Sequence, residues 1–146
     1  MPNFILLVRA STLSERPDPN PPTEVLGEML AYNASLVDAG ILISGEGLQP
    51  SCKGAARLSY APSGKIEDIT VAPGPFAVET LISGYWVIKA KDLEEAIGWA
   101  KKIPFTGPNA TVEVRTINNW SEDFGGQMTP ELKKKEAELR KRIEKH

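Results

Sequence analysis

Residues 84–117, GYWVIKAKDLEEAIGWAKKIPFTGPNATVEVRTI, contain the pattern of a strand, a helix and a second strand. The aromatic and aliphatic run at residues 84–90 is typical of a β-strand. Asp92, followed three residues later by a glutamate, forms a capping-box pattern and predicts that a helix begins there. Pro104 is expected to end this helix. Residues 111–117 alternate between polar and apolar side chains, which indicates a last strand.

The first part of the chain has the same plan. Residues 4–8 form a short apolar run that is typical of a buried strand. Helical spacing of apolar residues then predicts a helix capped by Thr23, and Gly40 is placed to end it in a left-handed conformation. Residues 41–44 begin a second strand, so we expect parallel pairing and a right-handed crossover.

Each predicted helix has an apolar stripe that we expect to be buried. The stripe of the first helix is Val25, Leu26, Met29, Leu30, Leu36 and Val37. The stripe of the second helix is Leu93, Ala96, Ile97, Ala100 and Ile103.

The middle of the chain reads as a hairpin. Residues 55–61 and 66–71 are strand-like and are joined by a turn at residues 62–65. The resulting order, β-α-β-β-β-β-α-β, is that of an α+β protein with a ferredoxin-like split βαβ fold. Because both helices must cover one face of the sheet, the other face is left bare. We expect a second copy to cover it sheet to sheet, which makes the protein a homodimer.

The end of the chain differs in composition from the rest. We expect a domain at residues 1–120, a linker at 121–128 and a charged helix at 129–146, capped by Thr129. Residues 131–146 hold seven basic and four acidic side chains, whereas the remainder holds ten basic and fifteen acidic ones. Two interpretations stay open, a solvated helix lying along the dimer and an arm that binds another macromolecule. Its expected ion pairs are Glu131–Lys135, Glu136–Arg140 and Glu138–Arg142.

Overall composition excludes several classes of protein. With 146 residues, 41% of them apolar, the chain has the size and composition of one globular domain. The net charge of −2 provides no general attraction for nucleic acid or for a membrane surface. Cys52 is the single cysteine, which excludes an internal disulfide and fits a reducing compartment. No secretory signal is visible, so we expect a cytoplasmic protein.

Catalytic and metal-binding signatures are missing from the sequence. The single histidine is His146, the last residue, so neither a Ser-His nor a Cys-His arrangement is available within the core. Zinc sites need clustered cysteine and histidine, which the chain lacks. We therefore expect no metal and no cofactor.

The last predicted strand carries the first candidate site. Its alternation places Glu113 and Arg115 on one face, with Val112 and Val114 on the other. If the valines face the helices, the charged pair points to the open face and the subunit interface. The pair then either holds the interface together or leaves Arg115 to bind a carboxylate or phosphate group.

Glu46 is the candidate for an acid or base. It shares a face of the second strand with Leu42 and Ser44 and lies near the strand end, where we expect the mouth of a cavity. The alternative is a carboxylate held in a turn. Arg57 on a hairpin strand and Tyr85 are further candidates for ligand binding, although Arg57 also fits plain surface and Tyr85 fits interface packing.

Short motifs across about residues 3–117 combine into a family pattern. They are Gly45-Glu46-Gly47-Leu48-Gln49-Pro50, Gly74-Pro75-Phe76, Glu79-Thr80, Gly84-Tyr85-Trp86-Val87-Ile88, Leu93-Glu94-Glu95-Ala96-Ile97-Gly98-Trp99-Ala100, Pro104 and Thr111-Val112-Glu113-Val114-Arg115. Together they resemble the YCII-related proteins, and most of all the branch named for an Asp-Gly-Pro-Phe motif. The resemblance implies a dimeric α/β barrel.

The same resemblance implies less about activity. Some YCII-related proteins are thought to be enzymes with a His-Asp pair, and some members of the branch are associated with sigma-factor regulation. This chain has Pro73 where the motif has Asp, a shortened segment at residues 79–81, and no histidine for the pair.

Three functions therefore remain, and whether the protein is an enzyme is left open. We rank first a dimer that binds a small molecule without turnover. The second is an enzyme acting on a small acidic or phenolic metabolite, using Glu46 with Arg115 or Tyr85. The third is an interaction protein, in sigma-factor regulation or elsewhere, that uses the basic C-terminal helix.

Overall fold

The computed structural model describes residues 1–18, 20–104 and 109–144, so His146 lies outside the described residues. The elements are β1 (Asn3–Arg9), α1 (Thr23–Asp38), β2 (Leu42–Gly47), β3 (Ala56–Ser59), β4 (Thr70–Pro73), β5 (Ile82–Lys89), α2 (Leu93–Ala100), β6 (Val112–Thr116), α3 (Trp120–Asp123) and α4 (Pro130–Glu144).

The main sheet has four strands in the order β2-β5-β1-β6, and every neighbouring pair is antiparallel. This confirms the α+β, ferredoxin-like split βαβ fold. The expected direct pairing of the first two long strands is wrong. β1 and β2 do run parallel, but β5 lies between them and bonds to both.

One face of the sheet packs against α1 and α2. Phe4 and Leu6 of β1 and Ile88 of β5 are buried beneath the helices. Trp86 packs edge-on against Tyr32 of α1, with ring centres 5.2 Å apart. The indole N–H of Trp86 donates to Asn33 Oδ1 at 2.7 Å, so its polar edge is satisfied inside the apolar layer.

Of the two predicted ends of α1, the C-terminal one is confirmed and the N-terminal cap is wrong. Gly40 does follow the helix with φ +72°, where a side chain would be strained. Thr23, however, is the first helical residue and not the cap. Pro22 occupies the cap position, and no side-chain hydrogen bond forms there.

The predicted stripe of α1 is partly confirmed, because Leu36 is buried and Val25 and Met29 are half-buried, but the stripe continues through Tyr32 and leaves out the other predicted residues. Tyr32 and Leu36 are buried, whereas Leu26, Leu30 and Val37 are 51%, 68% and 60% exposed. Consecutive helix positions differ by roughly 100° around the axis, so these three side chains face away from the sheet. In α2 the Asp92 cap is confirmed, because its Oδ1 accepts from the Glu95 amide at 2.9 Å. Leu93 and Ile97 are exposed there, contrary to the expected stripe.

β2 contains an irregularity at Ile43. Leu42 pairs with Ile88, but Ser44 already pairs with Val87, so Ile43 is an extra residue in the strand. Leu42 consequently packs against the helix-covered core. Ser44 and Glu46 point to the opposite, open face, so the prediction that Leu42 shares their face is wrong.

The predicted hairpin exists as a separate two-stranded sheet of β3 and β4. Its second strand begins later than expected, since residues Ile66–Asp68 form a 3₁₀ turn. Leu58 and Val71 face each other across this hairpin and are 51% and 62% exposed.

The C-terminal helix is capped as predicted, with the Leu132 amide donating to Thr129 Oγ1 at 3.2 Å. Of its three expected ion pairs, the described part of the chain shows Glu136–Arg140, at 2.7 Å. Leu132, Leu139 and Ile143 form an exposed apolar edge beside Trp120. Among the described residues, no helix combines the length and apolar character that crossing a membrane requires.

Candidate functional site

The open face of the main sheet is apolar in the middle and charged at both sides. Ile5 and Leu7 of β1 and Tyr85 and Val87 of β5 are half-buried there without a covering layer. Trp86, next along β5, points to the helices, which decides the alternation that the sequence left open. The bare face that the sequence predicts is therefore present in the single chain.

Glu113 and Arg115 lie on this open face, on the edge strand β6. Val112 and Val114 pack against the core, as predicted from the alternation. Arg115 Nη1 lies 3.9 Å from Glu113 Oε2, and the two side chains are 70% and 50% exposed. A solvent-exposed pair of this kind contributes about 0–1 kcal/mol to stability.

Glu46 lies on the same face at the opposite side of the sheet. It is exposed, and it pairs in register with Tyr85, which pairs with Leu7, which pairs with Glu113. Three strand spacings separate the ends of this row, about 14 Å. The fold thus brings Glu46 next to Tyr85 but does not bring Glu46 together with Arg115 within one chain.

Arg57 belongs to a different place, a cavity of about 650 Å³ at the end of the sheet. There the chain leaves β2, enters and leaves the hairpin, and begins β5. The residues lining the cavity are Glu15, Leu48, Gln49, Ser51, Lys53, Gly54, Ala55, Ala56, Arg57, Phe76, Leu81 and Ile82.

A buried serine holds the floor of this cavity. Ser51 is 5% exposed, and its amide donates to both carboxylate oxygens of Glu15, at 3.1 and 3.0 Å. Its hydroxyl donates to Glu15 and accepts from the Phe76 amide at 3.0 Å. Three segments of the chain are fixed to one another by this one residue.

Gly74 allows the segments to approach. A Cβ built on Gly74 would overlap the Ser51 carbonyl oxygen, so only glycine fits between the two loops. The Gly74-Pro75-Phe76 segment therefore forms a tight loop, and it presents Phe76 to the cavity.

Arg57 is positioned by two contacts. Its Nη2 donates to Thr80 Oγ1 at 2.6 Å, and its guanidinium carbon lies 4.1 Å from the centre of the Phe76 ring. Stacking on an aromatic ring restricts the plane of the guanidinium group. Arg9, from β1, donates to the Glu79 backbone oxygen. Two arginine side chains therefore bind the same short turn, Val78–Thr80.

Lys53 is the second cation of the cavity. Its Nζ lies 3.1 Å from Asp18 Oδ1, in a pair whose acid is 92% exposed. Within residues 1–18, 20–104 and 109–144, no three Cys, His, Asp or Glu side chains are grouped in a way that would hold a metal ion. The arrangement is suited to holding an organic molecule between cations and apolar walls.

Sequence reasoning found Arg57 but missed Glu15, Ser51 and Lys53. These residues lie in irregular segments without periodicity, and their contacts span up to 36 positions in sequence. The signal that would have led to them is the glycine at position 74, because a glycine between two prolines often marks a close approach of backbones.

One of two comparisons with known proteins found a family match. A comparison with curated proteins gave no match. The model of the YCII-related domain matches residues 4–121, which is most of the chain and includes all the strands described above except Asn3, the first residue of β1. The motifs around Gly45 and Gly74, which build the cavity, fall within that match. The chain therefore belongs to the family of YCII-related domain proteins.

Proposed function

We propose that this protein is a homodimer of the Asp-Gly-Pro-Phe branch that binds a small molecule in the cavity at the end of the sheet, without turning it over. The observation that carries the proposal is the cavity itself, with Arg57 stacked on Phe76 above a floor fixed by Ser51. Cavities of about 300–1,000 Å³ with apolar walls and few oriented polar groups are typical small-molecule sites.

The construction of the cavity supports binding over a purely structural role. Ser51 lies in the connection between β2 and β3, whereas Phe76 and Thr80 lie in the connection between β4 and β5, and each contacts a neighbour that lines the same space. A ligand meets groups that are already ordered, so little further conformational entropy is lost on binding.

The apolar open face supports the dimer. Leu7 and Tyr85 lie side by side at its centre, in a layer that the chain's own helices do not cover. The exposed Leu58 and Val71 of the hairpin add apolar surface, and a two-stranded hairpin is marginal by itself in water. A second copy can cover this face through two-fold symmetry, because the same apolar residues of both copies then form the contact.

The groups near the cavity favour binding over turnover. The Ser51 hydroxyl is buried, and its hydrogen bonds to Glu15 and to the Phe76 amide connect two loops, which favours a structural role for it. Glu46, the acid or base in the enzyme hypothesis, is exposed on the open face and is not among the residues lining the cavity. The enzyme hypothesis, with Glu46 beside Tyr85, therefore ranks second.

Branch membership rests on the loop at residues 74–76. Gly74 and Phe76 have definite roles in the cavity, one through its lack of a side chain and the other through its ring. Pro73, which replaces the Asp of the motif, is the last residue of β4 and is exposed. We place the dimer in the cytoplasm, which fits the free, exposed Cys52.

One observation favours the interaction role as an alternative. Leu132 and Leu139 on α4 and the neighbouring Trp120 are 51%, 44% and 48% exposed along one edge. Replacing both leucines by serine would abolish such a role and leave ligand binding in the cavity unchanged.

A thermal-shift screen against a panel of small metabolites tests the proposal. We expect a subset of compounds to raise the melting temperature, and the Ala56→Trp variant, which fills the cavity, to abolish the effect. Ala34→Trp, on the exposed side of α1, is the control. If the stabilising compounds act equally on both variants, the cavity is not the binding site.

A further inference from the structure

We propose that the cavity selects ligands that carry an oxyanion, a carboxylate or a phosphate, on an apolar body, and that Arg57 binds the oxyanion. This inference rests on the proposed function, because it names the chemistry of the ligand in the same cavity.

Two of the three guanidinium nitrogens of Arg57 have no hydrogen-bond partner among the described residues. Its Nη2 is used by Thr80, while its Nε and Nη1 donate to no group in the described residues. Nor does any carboxylate pair with this guanidinium among residues 1–18, 20–104 and 109–144. An arginine stacked over a ring presents these donors in a fixed direction, and charge-assisted hydrogen bonds from them suit a carboxylate or phosphate oxygen.

Among the described residues, Glu15 is the one acid that lines the cavity, and its carboxylate already accepts hydrogen bonds. Both of its oxygens accept from Ser51, through the amide and the hydroxyl. These bonds hold the carboxylate against Ser51, and no ion pair joins it to Arg57 among the described residues. Glu15 therefore orders the floor and is not available as the partner of Arg57.

Lys53 adds a second positive charge to the same space. Its partner Asp18 is 92% exposed, and an exposed pair of this kind is weak enough for an arriving anion to compete with it. With Arg57 and Lys53 against Glu15, the cavity lining has a net charge of +1, although the whole chain is at −2. The cavity is thus a local site for anions on an acidic protein.

The apolar residues that line the cavity indicate what the uncharged part of the ligand should be. Leu48, Leu81 and Ile82 line the cavity together with the ring of Phe76. Apolar side chains favour a hydrocarbon or aromatic body, and the volume of about 650 Å³ leaves room for more than the charged group alone.

Three probes of similar shape test the inference on the full-length protein. They are phenylacetate, phenyl phosphate and benzyl alcohol, which carry a carboxylate, a phosphate and no charge. Binding is measured by titration, with the backbone amide signals of cavity residues followed by NMR. We expect at least one anionic probe to bind about tenfold or more tightly than benzyl alcohol, since a hydrogen bond to a charged group contributes that much.

Arg57→Gln should weaken binding of the preferred anion by about tenfold or more and leave benzyl alcohol unchanged. Arg57→Lys keeps the charge but loses the planar set of fixed donors, so it should lie between wild type and Arg57→Gln. Lys65→Gln removes the same charge from the tip of the same hairpin, outside the cavity, and should have no effect.

Each outcome has a separate meaning. If benzyl alcohol binds as tightly as both anions, or if Arg57→Gln and Lys65→Gln weaken anion binding equally, the oxyanion inference is wrong while the binding cavity stands. If no probe shifts the signals of cavity residues, both the inference and the proposed function are overturned. The ratio of phenylacetate to phenyl phosphate affinity identifies which oxyanion the site prefers. Should Arg57→Gln fail to fold, Arg57→Lys and Lys53→Gln carry the test, and both must weaken the anion alone.

Discussion

The hydroxyl of Tyr32 on α1 donates a 2.8 Å hydrogen bond to the backbone oxygen of Trp99 on α2. This bond joins the two helices over the sheet, and the Tyr32 side chain is buried around it. Burial raises the pKa of Tyr32 from 10.0 to about 12, because the charged phenolate would lose its hydration in the core.

Tyr32 should make stability depend on alkaline pH. Between pH 10 and about 12 the unfolded chain releases the phenol proton while the folded chain keeps it, so the stabilising contribution is complete below pH 10 and is lost as pH rises toward 12. The loss should amount to about 2–3 kcal/mol. Urea unfolding at a series of alkaline pH values measures it. Tyr32→Phe should flatten this dependence, whereas Tyr60→Phe, at a 75% exposed position, should not.

Gly74→Ala should destabilise the protein by about 2–4 kcal/mol, because the new methyl group would overlap the Ser51 backbone and force two loops apart. Gly47→Ala is the matched control, since nothing lies within 4 Å of a Cβ at that position. The free energy of unfolding in urea compares the two. Equal effects would mean that the loops at residues 51 and 74 do not need their close approach.

Ser51→Ala should lower stability by about 1–3 kcal/mol, because it removes the hydroxyl that links Glu15 to the Phe76 amide. It should also weaken ligand binding, since Phe76 then no longer holds the plane of Arg57. Ser59→Ala, on an exposed strand of the hairpin, is the control. A Ser51→Ala variant with unchanged stability and unchanged ligand affinity would show that the hydrogen bonds of this serine do not hold the cavity in shape.

Leu7→Lys should convert the dimer into a folded monomer. The lysine would lie beside Glu113 across the strands, so the single chain tolerates it, but it would place a charge in the middle of a sheet-to-sheet contact. Light scattering gives the mass, and circular dichroism checks the fold. Leu30→Lys introduces the same charge on α1, where the side chain is 68% exposed, and should remain dimeric.

Arg115→Ala should weaken the dimer by about fivefold and leave the stability of the single chain within about 0.5 kcal/mol, because its pair with Glu113 is a surface pair. Dilution experiments followed by light scattering measure the dissociation constant. Lys101→Ala, on the helix side, is the comparison. An unchanged dissociation constant would remove Arg115 from the interface, and unchanged ligand affinity would remove it from binding too.

Much of the fold is readable in the sequence because local signals and global topology agree. The Asp92 cap, the Gly40 turn and the alternation around Glu113 each follow from the chemistry of one or two residues. These features do not depend on distant parts of the chain, so a pattern of a few residues is enough to predict them.

The failures have a common physical origin in tertiary contacts. Leu26 and Leu30 have the spacing of a buried stripe, but α1 is rotated so that Tyr32 can reach Trp86 and Trp99. The cavity likewise depends on irregular loops that meet only after folding, so Arg57 was visible as a cation but its partners Phe76 and Thr80 were not.

The extra residue at Ile43 has a consequence for comparing this chain with its relatives. It shifts the alternation of side chains along β2. Leu42 and Ser44, which are two apart in sequence, therefore point to opposite faces of the sheet. An alignment that places a one-residue gap a single position too early or too late would equate an inward residue with an outward one. A relative that lacks this extra residue would turn the side chain at the position of Glu46 to the helix-covered face.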